Sequence, residues 1–176
     1  MAKVDILQYP DPRLKRKGQA VTDFGDEFQQ YIDTMFETHY AATNCAALAA
    51  TQLDLEPAYH VTVIDFSPNH DQPLCIVNGE IIAREGEQNE DEGCMSVGCD
   101  ENIYVHAKVR RAYKIKLKAQ DRHGKIFEME AEEFMAKCIQ HELDHLDGKI
   151  FLDHLSPLKR KMTEKKLVKE RRLTTK

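Results

Sequence analysis

The stretch QHELDHLDG, residues 140–148, contains two histidines four residues apart, with a glutamate directly after the first. Residues four apart lie on one face of an α-helix, so the imidazoles of His141 and His145 are able to bind a single metal ion. Glu142 would then lie beside that ion, close enough to act on a water molecule bound to it. The spacing therefore predicts a helical metal site with hydrolytic chemistry.

The residues before the histidines favour a buried site over the alternative, which is two histidines exposed on a charged helix. Phe134 and Cys138 begin an apolar stripe that His141 and His145 continue at helical spacing. A buried imidazole needs a polar partner, and a metal ion is a suitable one.

Two histidines do not complete such a site, and the residue pattern alone leaves the third ligand open. One class of metalloprotease would require a histidine at position 151, which is Phe151 here. Glu164 lies in a basic segment beyond a helix break at Ser156-Pro157, which argues against it, and His154 lies past a turn. A cysteine upstream of the helix is the remaining option.

The composition predicts one well-packed globular domain over residues 1–176. Hydrophobic residues make up 41% of the chain and charged residues 31%, which is ordinary for such a domain. No apolar run is long enough to cross a membrane, and the N-terminus lacks the apolar core of a signal peptide, so a cytoplasmic location is expected. Five cysteines without regular spacing argue against a disulfide scaffold.

The order of the predicted elements indicates an α+β fold, with a mostly antiparallel or mixed sheet around the central helix that carries HExxH. Strands mostly follow one another without intervening helices. Helices are predicted at 25–42, at 131–146 and, beginning with a Ser-Pro cap, at about 157–173. Strands are predicted at 58–66, at 74–85 with a break at Gly79, twice within 102–120, and at 125–131; the acidic stretch 85–93 is predicted to be a surface loop.

Three stretches together resemble the peptide deformylases. They are QHELDH at 140–145, EGCMS at 92–96, where the family has E-G-C-L-S, and CAALAATQ at 45–52, where the family has G-x-G-L-A-A-x-Q. Their order and spacing are similar to the family over nearly the whole chain, as are YPDPRL near the start and LDHLSPLKR after the helix. Because three linked motifs are far more specific than one, the sequence is identified as a member of this family.

The resemblance implies an α+β fold and a specific hydrolysis. The enzyme would remove the N-formyl group from the initiator formyl-methionine of nascent polypeptides and release formate. Cys94 would be the third metal ligand, beside His141 and His145. The single divalent ion would be Fe²⁺ in the cell, with Zn²⁺ or Ni²⁺ as possible replacements.

The resemblance also implies the roles of the catalytic groups. Glu142 would take the proton of the attacking water and pass it to the leaving amine. The side-chain amide of Gln52 and the backbone N–H of Met95 would stabilise the oxyanion, and one such donor is typically worth about 3 kcal/mol. Contacts with the peptide are expected from Ala46, Ala47, Leu48, Gly93, Met95, Cys138 and Glu101.

The sequence departs from the family pattern at a few motif positions. Cys45 and Ala47 stand where the first motif has glycines, and Gly98 stands where the family usually has a proline. NGE at 78–80 replaces N-P-E. Glu101 occupies a position where the family often has an arginine or an aromatic residue, and it would repel an acidic peptide. These departures spare the metal and catalytic residues and are expected to cluster in the substrate cleft, which favours a working enzyme with altered peptide preference over a weak or inactive relative.

The charge distribution predicts a docking element at the C-terminus. The net charge is −5, although residues 159–176 contain nine Lys or Arg and two Glu. The resemblance associates this helix with docking near the ribosomal exit tunnel, and the cations suited to phosphate contacts are Lys159, Arg160, Lys161, Lys165, Lys166, Lys169, Arg171 and Arg172. A loosely packed terminus is the alternative.

No membrane or DNA partner is expected. Two rival functions remain open: hydrolysis of another amide by the same centre, and a metal-holding binding protein that docks on RNA.

Overall fold

The computed structural model describes residues 3–100 and 102–175. Within these residues the helices are α1 (Asp26–Ala41), α2 (Glu133–Leu146) and α3 (Pro157–Thr174). The strands are β1 (Ala47–Ala49), β2 (Val61–Ile64), β3 (Leu74–Glu85), β4 (Gln88–Glu92), β5 (Ala107–Arg111), β6 (Lys114–Gln120) and β7 (Ile126–Glu132). The predicted α+β class is confirmed, and so is the C-terminal helix.

The strands form two antiparallel sheets. The larger has the order β1-β2-β3-β6-β7, and the smaller pairs β4 with β5. Helix α1 packs on one face of the larger sheet and α2 on the other, as the alternation along β1 illustrates. Ala47 and Ala49 pack in the cluster that contains α2, whereas Leu48 packs in the cluster that contains α1. This is the two-residue period expected of a strand that is buried on both faces.

Helix α2 is held between the sheet and the segment that follows it. Ile139, Leu143 and Leu146 lie at helical spacing and pack against the sheet. The helix ends before Gly148, which has a φ of +79° and donates its N–H to the carbonyl of His145. A Cβ at this position would lie 2.5 Å from the carbonyl oxygen of Lys15, so both the backbone conformation and the close approach require glycine.

Helix α3 begins with the predicted cap. The Ser156 side chain accepts a hydrogen bond from the N–H of Lys159, and Pro157 occupies the first helical position. Leu167 is the residue of this helix that is buried in the core, where it packs in a cluster that also contains Cys94, Val97 and Phe151. Among the described residues, no helix is both long and apolar enough to cross a membrane.

Three predictions of local structure were wrong. The acidic stretch predicted to be a loop contains β4, which pairs with β5 along its whole length. The predicted break at Gly79 is absent, because β3 continues from Leu74 to Glu85 and absorbs irregularities in its pairing with β6. Phe134, predicted to begin a buried stripe, is 45% exposed.

Candidate metal centre

Three side chains converge beneath the sheet, and they are the three predicted metal ligands. His141 and His145 lie on the buried face of α2, as predicted, with exposures of 8% and 1%. The Nε2 atom of His145 lies 3.2 Å from Nε2 of His141 and 3.3 Å from Sγ of Cys94. All three candidate ligand atoms lie within 4.8 Å of one another.

Cys94 reaches this point from a loop that follows β4. A turn in which the N–H of Val97 donates to the carbonyl of Cys94 (2.9 Å) shapes the loop. The loop is anchored to the N-terminal segment by two further hydrogen bonds. Tyr9 N–H donates to the carbonyl of Ser96 (2.7 Å), and Gln8 Nε2 donates to the carbonyl of Met95 (2.8 Å).

A buried ion-pair network orients His141. Its Nδ1 lies 2.8 Å from Oε1 of Glu92, and Glu92 in turn receives two hydrogen bonds of 2.9 Å from Arg111. Arg111 also bonds to Asp144, whose carboxylate lies 2.7 Å from Nε2 of His154. A carboxylate at Nδ1 places the imidazole proton there and leaves the Nε2 lone pair directed at the other two ligand atoms.

Glu92 remains ionised throughout the neutral range. Burial alone would raise its pKa, but the hydrogen bonds from Arg111 and His141 lower the pKa to about 2. The residue therefore keeps its negative charge, and it keeps His141 in one tautomer.

Glu142 has the opposite electrostatic environment. It is 4% exposed, and its Oε2 atom has no hydrogen-bond partner among the described residues. Burial raises the pKa of this carboxyl to about 7. A carboxyl with a pKa near neutrality is suited both to accept and to donate a proton.

The side chain of Gln52 faces the Cys94 loop. Its Oε1 accepts the N–H of Ala49 (2.9 Å), which fixes the orientation of the amide. The Nε2 atom lies 3.1 Å from Oγ of Ser96 and 3.5 Å from Sγ of Cys94. The amide nitrogen therefore faces the predicted ligand Cys94 and the hydroxyl of Ser96 beside it.

The donor set fits a divalent transition metal. Two imidazoles and one thiolate are the ligand types that Zn²⁺ and Fe²⁺ accept, and three protein ligands leave one position for water or substrate. The geometry agrees, because the Nε2 atom of His141 faces the other two candidate ligand atoms, Nε2 of His145 and Sγ of Cys94.

A cleft of about 200 Å³ opens onto these residues. Of the residues predicted to contact the peptide, it is lined by Ala46, Ala47, Gly93, Met95 and Cys138. The side chain of Leu48 is not brought to the cleft, since it is fully buried in the cluster with α1. Glu101 lies outside the described residues.

The residues at the departures from the family pattern mostly face away from the cleft. The thiol of Cys45 lies 3.1 Å from Nδ1 of His39 on α1, and the other nitrogen of that imidazole lies 2.9 Å from the carbonyl oxygen of Asp65. Ala47 does not have a positive φ, so alanine is accommodated there without strain. Gly98 has a φ of +58° and packs against Leu167 of α3.

Sequence reasoning missed two groups of functional interest. Glu92 stood in the quoted EGCMS motif, but its position suggested only a surface loop. Arg111 lies in a run of alternating charged and apolar residues with no signal for burial, although its side chain is only 4% exposed. Phe134, Lys137 and Tyr104 also line the cleft without having been predicted to do so.

The α+β fold and the buried His-Glu-His helix with its thiolate partner define a metal-dependent hydrolase. Comparison with known families identifies which one: residues 3–161 match the polypeptide deformylase model. The chain belongs to the polypeptide deformylase family. Its function is that of a peptide deformylase, the hydrolysis of the N-formyl group from the initiator formyl-methionine of nascent polypeptides, and the rival functions are not favoured.

Individual relatives agree with this assignment. The chain is 66% identical to peptide deformylase 1 of Coxiella burnetii over 167 residues, which cover 95% of this chain and 96% of that protein. It is 46% identical to a peptide deformylase of Xylella fastidiosa, with 98% of each chain covered. The crystal structure of a peptide deformylase from Legionella pneumophila superposes with a TM-score of 0.88 at 40% identity, covering 99% of each chain.

Proposed function

We propose that His141, His145 and Cys94 hold the catalytic ion of this deformylase and that Glu142, Gln52 and Met95 carry out the hydrolysis around it. The observation that supports this most directly is the convergence of the three ligand atoms within 4.8 Å. The unpartnered carboxylate oxygen of Glu142 lies in the same buried cleft. When bound, a divalent ion in such a site lowers the pKa of water and polarises a carbonyl group.

Glu142 performs the proton transfers in this proposal. Its carboxylate accepts a proton from the attacking water, and the resulting carboxylic acid donates that proton to the nitrogen of methionine as the C–N bond breaks. Burial keeps the pKa of the carboxyl at about 7, between those of a free carboxylate and an amine. Such a positioned acid-base group typically contributes about 10²–10⁴ in rate.

Gln52 and Met95 stabilise the oxyanion that forms on the formyl group. The Gln52 amide is held by Ala49, so its N–H groups are oriented before the substrate arrives. The Met95 N–H belongs to the peptide unit that follows Cys94, and the hydrogen bond from Gln8 to the Met95 carbonyl restrains the next unit. Donors that are fixed in advance cost no reorganisation during the reaction.

The peptide binds along β1 in this proposal. This strand is at the edge of the larger sheet, and β2 occupies its other side. The carbonyl of Ala46 accepts the N–H of Asp65 (3.0 Å), which directly follows β2. In an antiparallel strand the backbone N–H and C=O groups of successive residues point alternately to the two sides, so those of Ala47 point to the open edge. An extended substrate is able to add there as a further strand, with the methionine side chain in the cleft near Cys138.

The first experiment is formate release from a formyl-Met tripeptide by protein purified without oxygen and loaded with Fe²⁺, Ni²⁺ or Zn²⁺. Fe²⁺ is proposed as the cellular ion, and metal analysis of the anaerobically purified protein tests that assignment. Glu142→Ala is expected to lose turnover by about 10²–10⁴ while it keeps one ion per chain. Glu130→Ala removes an exposed carboxylate of β7 and serves as the matched control. Full turnover by Glu142→Ala, or none by the loaded parent protein, contradicts the proposal.

The basic surface of α3 is proposed as the site that docks on the ribosome in the cytoplasm. Two of the eight predicted cations are engaged by the protein itself, since Arg160 pairs with Asp153 and Glu164, and Arg171 donates to the carbonyl of Tyr9. The remaining six are exposed: Lys159, Lys161, Lys165, Lys166, Lys169 and Arg172. These six are able to contact phosphates without disturbing the core.

Charge reversal tests this docking site. The triple variant K165E/K169E/R172E is expected to lose salt-sensitive sedimentation with ribosomes while it retains turnover of the free tripeptide. The control variant R84E/K125E/K149E reverses three exposed cations elsewhere on the molecule. Equal loss of sedimentation in both variants would mean that net charge, and not this surface, is responsible.

A further inference from the structure

Helix α3 contacts the back of the loop that carries Cys94. Leu167 is 2% exposed and packs in one cluster with Cys94 and Val97. It also lies against Gly98, where an added Cβ would be only 2.4 Å from Cδ1 of Leu167. A residue with any side chain at position 98 would therefore displace the Leu167 side chain, the loop or the helix.

Tyr9 forms a second connection between the same two segments. Its N–H donates to the carbonyl of Ser96 (2.7 Å), within the loop. Its carbonyl accepts from Nη1 of Arg171 (2.6 Å), and its hydroxyl donates to Glu164 (2.8 Å), both on α3. One residue thus bonds to the loop through its backbone and to the helix through its backbone and its side chain.

One face of α3 makes this connection. Arg160, Glu164, Leu167 and Arg171 lie along one face of the helix, and each contacts Tyr9, another of these residues or the core. The large apolar residues elsewhere on the helix are exposed: Leu158, Met162, Val168 and Leu173. The helix is therefore attached to the rest of the molecule behind residues 94–98 and along residues 150–154.

We propose that Leu167 and Tyr9 are positioning residues for the deformylase reaction. They press on residues 94–98 from the side opposite the cleft, and they fix Sγ of Cys94 and the N–H of Met95 relative to the two histidines. This inference rests on the roles proposed above for Cys94 and Met95. It makes α3 a support of the catalytic loop in addition to a docking surface, because a displacement of the helix at Gly98 displaces the thiolate ligand.

The test inserts a methyl group at the contact and then removes the opposing side chain. The variants are Gly98→Ala, Leu167→Ala, the double variant G98A/L167A, and Tyr9→Phe, which deletes only the hydroxyl that donates to Glu164. Val168→Ala is the matched control, since it truncates an exposed neighbour on the same helix. Each protein is loaded with Co²⁺, and its turnover, its melting temperature and its thiolate-to-cobalt absorption band are measured.

A shifted loop misplaces groups that act in the transition state, so kcat is expected to fall while KM changes little. The expected loss in kcat per loaded chain is about tenfold for Gly98→Ala and about twofold for Tyr9→Phe. The thiolate-to-cobalt band of Gly98→Ala is expected to shift, and G98A/L167A is expected to regain part of kcat and part of the parent band. Leu167→Ala alone is expected to lower kcat, and Val168→Ala is expected to match the parent.

The opposite pattern overturns the inference. If all variants melt earlier but keep the parental kcat per loaded chain and the parental cobalt band, Leu167 and Tyr9 have a purely structural role. The absorption band does not depend on turnover. A parent protein that binds cobalt through its thiolate but releases no formate would therefore identify a failure of the proposed function, separately from a failure of this inference.

Discussion

Arg111 is the cation on which the buried network of the metal centre depends. Its side chain is 4% exposed and lies between Glu92, which is 3% exposed, and Asp144. Arg111→Met keeps the apolar length of the side chain but leaves Glu92 as a buried charge without its main partner. Breaking a buried ion pair in this way costs about 3–5 kcal/mol of the free energy of unfolding. For a chain of this size the melting temperature is expected to fall by about 6–20 °C, at about 2–4 °C per kcal/mol.

A second substitution separates the charge from the packing. Glu92→Gln in the Arg111→Met background removes the uncompensated charge, so R111M/E92Q is expected to be more stable than R111M alone. Metal affinity is expected to behave differently, because Glu92 also orients His141. Loss of such a partner typically costs about 10–100-fold in metal affinity, so R111M/E92Q is expected to bind the ion more weakly than R111M although it is the more stable of the two.

The assays are urea unfolding of the metal-loaded proteins and competition with a chelator for Zn²⁺. Arg110→Met is the matched control, since this neighbour on β5 is 77% exposed and its substitution is expected to change stability by no more than about 0.5 kcal/mol. The reasoning is refuted if Arg111→Met is as stable as Arg110→Met. It is also refuted if Glu92→Gln lowers the stability of the Arg111→Met protein further.

Three other perturbations have defined outcomes. Gly148→Ala is expected to cost more than about 1 kcal/mol, since alanine must adopt a left-handed conformation and meet the Lys15 carbonyl; urea unfolding measures this. Burial would raise the pKa of Asp65, but hydrogen bonds from Ser67 and Tyr40 lower it. The ionised carboxylate therefore stabilises the folded state above about pH 4, the pKa of an unfolded Asp. This contribution to the free energy of unfolding disappears as the pH falls through the lower pKa of the folded state. Asp65→Asn should flatten that part of the stability-pH curve, and an unchanged curve would assign the acid sensitivity to other groups. Removal of the metal by a chelator is expected to lower the melting temperature, and Zn²⁺ should restore it; equal melting of both forms would exclude the proposed ligands.

The helices were predictable because their signals are local. Amphipathic spacing placed α2 at 131–146, and the structure has it at Glu133–Leu146. The C-terminal helix followed from Ser156 and Pro157, and the structure contains that cap. The predicted burial of His141 and His145 is confirmed because periodicity along one helix decides which side chains share a face.

Strand β4 was not predictable in the same way. Its residues are charged or polar, so no apolar alternation marks it, and only Glu92 at its end is buried. Pairing with a basic partner stabilises it instead, since Asp91 lies opposite Lys108 and Asn89 lies opposite Arg110. The partner strand begins 15 residues after β4 ends, and no local pattern in the sequence shows which segments will pair.

The metal centre combines local and distant contributions. His141, Glu142 and His145 follow from one helical spacing, but Cys94 lies 47 positions before His141, and only the family resemblance brought it into the site. Arg111 could not be assigned from either source. Its role depends on Glu92 and Asp144 reaching it from β4 and α2, which is a property of the tertiary structure alone.

The departures from the family motifs now have a physical interpretation that differs from the expected one. Cys45 is occupied by its contact with His39, Ala47 has a backbone conformation open to any residue, and Gly98 makes room for Leu167. Of these three departures, Cys45 and Gly98 thus act on the packing behind the site, and Ala47 is neutral in conformation. The expectation of altered peptide preference then depends on Glu101 and on cleft residues such as Lys137 and Tyr104. Substitution at those positions is expected to change KM for peptides of different charge, whereas substitution at Gly98 is expected to change kcat.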